Sequence, residues 1–148
     1  MMREKGYLLF VVSNQSGVGR GIISDQDFMA VHGRTLDLLR EEEIEIDLFL
    51  YCFHRPEDQC SCRKPKPGLI PKLHGDRELD WSRSYTVGDK ASDLDLADSI
   101  GAQAFLVLTG EGAATWQSLK DEGKARVPAC ATLLDVAKRL PGALSWRA

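Results

Sequence analysis

Residues 7–21 read YLLFVVSNQSGVGRG, an apolar run that passes without a break into a polar, glycine-bearing loop. A run this short, apolar and partly β-branched predicts a strand over residues 7–12 buried on both faces, as in parallel sheets. Residues 13–21 are then a loop at the carboxyl end of that strand. Successive N–H groups in a glycine-containing turn can cradle an anion, to which Ser13 can donate its hydroxyl and Arg20 add charge. The same composition also suits a plain turn. The G-x-x-x-x-G-K-[ST] pattern of a P-loop is absent.

The alternation continues downstream. Ser24-Asp25-Gln26-Asp27 resembles an acidic capping box, predicting a helix to about Glu43 with Phe28, Val31, Leu38 and Leu39 inward. Further strands are expected at residues 47–52, 84–87 and 104–108. Helices are expected near residues 69–74, over 93–100 with Ser92 as cap and Gly101 as stop, and near 113–121 and 131–140. Strands alternating with helices imply right-handed crossovers and a three-layer α/β/α architecture around a mainly parallel, Rossmann-like sheet. In such sheets the ligand lies beyond the strands' carboxyl ends, here marked by Ser13-Asn14, Cys52, Gly88-Asp89 and Thr109-Gly110.

Bulk properties narrow the function. The chain has 148 residues, enough for one domain with a single core, and no apolar run near the roughly 18 residues a membrane span needs. The start, MMREKGYLLFVVSNQ, is basic and then apolar, but no small-residue cleavage site follows, so no secretory leader is expected. A net charge of −3 argues against a nucleic-acid or anionic-membrane surface; an anionic ligand would need a local basic cluster. Three of the four cysteines crowd at positions 52, 60 and 62, which suits a metal site in a reducing cytoplasm better than a disulfide framework.

That crowding lies in YCFHRPEDQCSC, residues 51–62. Cys52 and His54, two apart on an extended segment, share a face; Cys60 and Cys62 repeat the geometry, and residues 55–59 are long enough to fold one pair onto the other. Three thiolates and one imidazole form a closed tetrahedral set of the structural zinc type, with no open position for catalysis. The plainer alternative is free cysteines beside a surface histidine. CRKPKPG, residues 62–68, follows directly, so zinc would also pin Arg63 and Lys64, which can grip a phosphoryl group. Without it they are a solvated basic loop. In YTVGDKASDLD, residues 85–95, Asp89 just past a buried strand suits Mg²⁺, whereas Asp93 and Asp95 are explained as first-turn acids. His32 and His74 read as surface residues, and Cys130 as a small core residue.

In this order and spacing, VVSNQSGVGRG, CFHRPEDQCSCRKPKPG, VGDKASD and LVLTGEG resemble the haloacid dehalogenase-like phosphohydrolases. The similarity runs from about Gly6 to Gly112 and is closest to the branch acting on heptose bisphosphate or histidinol phosphate. The resemblance implies Ser13 as the phosphate-binding hydroxyl with Asn14, Gln15 and Ser16 beside it, Arg63 in substrate recognition and Lys64 in phosphoryl stabilisation. It further implies Asp89 as Mg²⁺ ligand, Lys90 beside it, Asp93 supporting the loop, and structural zinc on Cys52, His54, Cys60 and Cys62. The implied activity is Mg²⁺-dependent removal of the 7-phosphate of D-glycero-D-manno-heptose 1,7-bisphosphate by a monomeric, cytoplasmic enzyme, with histidinol phosphate as the alternative substrate.

One element of the family pattern is missing. Members begin with a strand ending in D-x-D-G-T, whose first aspartate attacks phosphorus and whose second is the general acid/base, and nothing in MMREKGYLLF can serve. REKGY instead resembles the tail of the helix that follows that strand. The expectation is therefore a single phosphatase domain over residues 1–148, truncated at its N-terminus and inactive alone, or else a non-catalytic phosphate- or zinc-binding module. By resemblance the missing strand is central, so the strands flanking it should stand roughly 10 Å apart unless they pair directly.

Overall fold

The computed structural model describes residues 1–71, 73, 74 and 77–142. Two parallel sheets form its frame. In the first, β1 (Phe10–Asn14) pairs with β2 (Leu48–Cys52) in register from Phe10 opposite Leu48 to Asn14 opposite Cys52, and the short α1 (Ser16–Gly19) and long α2 (Asp25–Glu41) connect them. A small antiparallel hairpin follows, β3 (Leu73–His74) with β4 (Arg77–Glu78). In the second parallel sheet β5 (Tyr85–Gly88), β6 (Gln103–Val107) and β7 (Ala129–Cys130) lie side by side in that order. Their connections are α3 (Ala91–Ile100) and α4 (Gly112–Asp121), and α5 (Leu133–Arg139) follows β7. The expected α/β class with parallel strands is therefore the observed one.

Among the described residues no strand pairs β1 with β5. The two sheets meet through side chains: the ring of Tyr7 stands edge-on to Tyr85 at 6.0 Å, and Phe10 lies 6.5 Å from Trp81. This explains a departure from expectation. The run starting at Tyr7 reads as a strand buried on both faces, but strand geometry starts only at Phe10 and all five residues of β1 are half-buried. In the first sheet Cys52 alone among the described residues is fully buried, and the core cluster of Val107, Cys130, Val136 and Leu140 lies on the other. Cys130 is thus the core residue expected, although β7, only two residues long, carries no periodic signal that a sequence could show.

Helix ends follow local chemistry. Ser24 caps α2 by accepting the Asp27 N–H, and its hydroxyl donates to the Asp27 carboxylate. The inward stripe differs from the expected one: Val31 and Leu38 are 68% and 46% exposed, while Phe28, His32, Leu36 and Leu39 turn inward. His32 is not a surface residue. Its Nδ1 bonds the Tyr51 hydroxyl at 2.9 Å and its ring packs edge-on to Phe49, so aromatic contact with β2 sets the rotation of the helix. Nor does Ser92 cap α3, which starts at Ala91; Lys90 is the cap residue, and the Asp93 carboxylate accepts its N–H. Nor do the described residues of 69–74 form the helix expected there. Pro71 has no N–H and disfavours helical geometry at Ile70, and β3 takes up Leu73–His74.

Packing against β6 predicts that Leu106→Ala, at a side chain with 0% exposure, lowers the unfolding free energy in urea by about 3 kcal/mol. Val31→Ala, on the outward face of α2, should change it by less than about 0.5 kcal/mol. A large loss from the second variant would contradict the observed rotation of α2.

Candidate functional site

The carboxyl ends of β1, β2 and β5 deliver the polar residues that sequence reasoning singled out. Asn14 closes β1, and alternation along the strand turns its side chain away from that of Ser13. Its amide is matched to the backbone of Lys64: Oδ1 accepts the Lys64 N–H at 3.0 Å, and Nδ2 donates to the Lys64 carbonyl at 3.2 Å. The Lys64 ammonium donates to the Val12 carbonyl at 2.6 Å and to Asp93 Oδ1 at 2.7 Å, both side chains of that ion pair being largely buried. An ammonium has three donors, so one remains for a ligand. Asp93 does more than act as a first-turn acid: its second oxygen accepts the Lys90 N–H, and Gly88 lies so close that no Cβ would fit against the carboxylate.

Asp89 sits on the other side of β5's end. Its Oδ2 accepts the Glu111 N–H at 2.9 Å and its carbonyl accepts the Thr115 hydroxyl at 2.8 Å, which orients the carboxylate. Gly110, at φ +60, makes the close approach possible, because a side chain there would run into the Asp89 carboxylate. Oδ1 has no hydrogen-bond partner among the described residues, so it suits a hard cation. Lys90 pairs with Glu111 at 2.7 Å; that hydrogen bond, with the nearby charges of Glu111, Asp89 and Asp93, raises its pKa above the usual ammonium value. Sequence reading missed Glu111 and Thr115 as supports of Asp89, and TGEG at the end of β6 was the available signal.

Ser13 is placed differently from Asn14. Its Oγ accepts from Gln15 Nε2 at 2.9 Å, leaving its own proton to donate, and both residues border an apolar cavity of about 360 Å³ beneath α2. Ser16 opens α1, and Arg20 lies 3.8 Å from Glu57. Arg63 is held weakly at the rim, Nη1 to the His54 carbonyl at 3.4 Å.

The cysteine-bearing loop folds as its spacing requires. The Pro56–Asp58 turn is closed by the Arg55 N–H on Asp58 Oδ2 at 2.8 Å, and the Gly68 N–H bonds the Ser61 carbonyl at 2.9 Å. Cys52, His54, Cys60 and Cys62 then point one donor atom each at a common centre, all within 4.8 Å of one another. Sulfur–sulfur separations are 3.7, 3.3 and 3.4 Å, and His54 Nδ1 lies 3.1 Å from Cys62 and 3.7 Å from Cys52. Zinc–sulfur bonds of roughly 2.3 Å give a tetrahedron with edges of about 3.7 Å, and all four cysteines are free, so the donor set fits zinc in type and size. Burial works against ionising Cys60, but hydrogen bonds from Cys62, Cys52 and the Arg63 backbone outweigh it and bring its pKa to about 7. Cys62 is pushed up to about 12 by its hydrogen bond to Cys52, then by burial and Cys60.

The chain is similar to known proteins over most of its length. The HAD-hydrolase-like family model matches residues 61–135. A D-glycero-β-D-manno-heptose-1,7-bisphosphate 7-phosphatase of Pseudomonas aeruginosa is 37% identical over 122 residues, 82% of this chain and 68% of the relative. Its namesake from Neisseria meningitidis serogroup A is 36% identical over 134 residues, 90% of this chain and 72% of its own length. The histidine biosynthesis bifunctional protein HisB of Actinobacillus pleuropneumoniae is 40% identical over 105 residues, but only 29% of that protein is spanned. Among solved structures, a D,D-heptose 1,7-bisphosphate phosphatase from B. bronchiseptica, complexed with magnesium and phosphate, superposes with a TM-score of 0.82 at 30% identity. That match covers 94% of this chain and 76% of the other.

Two outcomes are expected. Asp93→Asn leaves a largely buried ammonium without its counter-ion and should lower the unfolding free energy in urea by about 3 kcal/mol. Zinc must displace the Cys62 proton throughout the neutral range, but the Cys60 proton only below about pH 7. A chelator-competition titration should therefore show zinc affinity falling as pH is lowered through the neutral range; an affinity that does not change with pH would contradict the assignment of thiol ligands.

Proposed function

Because this chain belongs to the HAD-hydrolase-like family, we propose that it carries the phosphate cradle and both metal sites of a Mg²⁺-dependent sugar-phosphate phosphatase. The substrate is D-glycero-D-manno-heptose 1,7-bisphosphate, losing its 7-phosphate. The observation that carries the reading is Lys64: its ammonium is fixed beneath the carboxyl ends of β1 and β5 by Val12 and Asp93, with one donor left to meet a phosphoryl oxygen.

The other roles follow from position and chemistry. Ser13 and Asn14 end β1, and Gln15 and Ser16 follow at the start of α1; the Ser13 hydroxyl and the backbone N–H groups of this segment can meet an oxyanion, with Asn14 holding Lys64 beside it. Arg63 at the rim meets the more distant part of the substrate. Asp89, oriented by the Glu111 N–H, would hold Mg²⁺, with Lys90 next to it in the chain and Asp93 supporting the loop. Mg²⁺, when bound, neutralises charge on the transferring phosphoryl group. The cysteine–histidine set takes structural zinc, and its free thiols fit a reducing cytoplasm.

These 148 residues contain no D-x-D-G-T segment, so within them no aspartate can form the aspartyl-phosphate that the family route uses. Phosphate monoesters are among the slowest reactions in water, with enzymes supplying up to ~10²¹-fold, and a cradle alone falls far short of that. The chain by itself is expected to bind phosphate without releasing it from the bisphosphate.

Thermal melting with Mg²⁺ and candidate ligands tests the substrate. The heptose bisphosphate should raise Tm more than histidinol phosphate does, with about 2.7 kcal/mol gained at a hundredfold excess over Kd. Equal shifts would remove the preference for the heptose, and no shift with either would leave only a zinc-stapled scaffold. Phosphate release by the 148 residues that is abolished in Asp89→Asn would overturn the prediction of inactivity.

A further inference from the structure

Asn14 bonds both ends of its carboxamide to one residue fifty positions away. Oδ1 accepts the Lys64 N–H and Nδ2 donates to the Lys64 carbonyl. Only this orientation of the amide satisfies both backbone groups, since the flipped one would face donor with donor and acceptor with acceptor. Two bonds of opposite sense fix the direction of the Lys64 backbone as well as its position, and from there the ammonium reaches Val12 and Asp93.

The segments around Asn14 also touch the loop that carries the four metal donors. The Gln15 N–H bonds the Cys52 carbonyl at 2.7 Å, and Gly19 lies against the Phe53 carbonyl so closely that a Cβ would not fit. Cys62 is two residues before Lys64. Closing the donor set therefore settles the segment that leads into Lys64, and the Asn14 amide holds the backbone of that residue in the direction that sends its ammonium to Val12 and Asp93.

We infer that Asn14 is a positioning residue that couples the Cys52–His54–Cys60–Cys62 set to Lys64, so that a metal at the one and an oxyanion at the other bind cooperatively. The oxyanion half rests on the phosphate-binding reading given above. Linkage makes the coupling reciprocal: zinc tightens phosphate, and phosphate tightens zinc, by the same factor.

The experiment compares the wild-type chain, Asn14→Ala and Asn14→Asp, each with zinc and after chelation. Inorganic phosphate affinity is read by calorimetry, and exchange of the Lys64 amide proton by NMR without phosphate. In the wild type zinc should tighten phosphate about tenfold and slow Lys64 exchange. Asn14→Ala should still take up zinc but lose both effects. Asn14→Asp keeps an acceptor for the Lys64 N–H and should recover the slow exchange, which a general loss of packing would not allow. The same zinc dependence of phosphate affinity in wild type and Asn14→Ala, or a Lys64 amide that stays protected in Asn14→Ala, overturns the inference. Slow exchange that depends on Asn14 in a chain that binds no phosphate supports the positioning role and overturns the phosphate reading instead.

Discussion

An ammonium ion held in a largely buried position is the constraint on which this structure turns. The Lys64 and Asp93 side chains are only 15% and 12% exposed, so neither charge could stay there without the other. Desolvation of such a pair is costly and is offset only by good geometry and full hydrogen bonding. Both conditions are met: Lys64 also bonds the Val12 carbonyl, and Asp93 also accepts the Lys90 N–H. The pair joins the end of β1 to the start of α3, two elements that no strand pairing connects. The group that would meet a phosphate is thus also the group that ties one sheet to the other.

Everything near this pair is arranged to deliver Lys64 to it. The residue belongs to no strand or helix, and a lysine on an unsupported loop would lose considerable side-chain and backbone entropy on being fixed. Two devices reduce that cost. The cysteine–histidine set gathers the preceding segment around a point, and the Asn14 amide holds the backbone of the residue itself. On the opposite side, Gly110 admits the Asp89 carboxylate to the backbone of the loop after β6. The two candidate metal positions therefore differ in kind. One is a closed set of protein donors that shapes a loop; the other is a single oriented carboxylate with an oxygen to spare.

The half-buried state of β1 and β5 belongs to the same picture. Both sequences are apolar enough for strands covered on two faces, yet every residue of each stays partly exposed. Apart from Cys52 at the end of β2, burial among the described residues is complete only in and around the second sheet, where helices α3 and α5 close over it. Aromatic rings of Tyr7, Tyr85, Phe10 and Trp81 fill part of the space between the sheets. Side chains can bridge that space, but they do not replace a ladder of backbone hydrogen bonds.

The α/β class, the order of the main strands and helices and the grouping of the four metal donors were legible in the sequence. Each rests on short-range rules: apolar runs, caps such as Ser24, stops such as Gly101, and a spacing that permits few foldings of Cys52 to Cys62. The order of the four motifs was equally legible, and so was the family. What only the tertiary structure decided are the contacts between segments far apart in the chain. The rotation of α2 depends on aromatic residues of β2, so the inward stripe passes through His32 rather than Val31. Asp93 is the counter-ion of a lysine 29 positions earlier, and Asn14 the clamp of one 50 positions later. Such pairings leave no period or spacing in the sequence, because they come from packing the elements against one another once those elements exist.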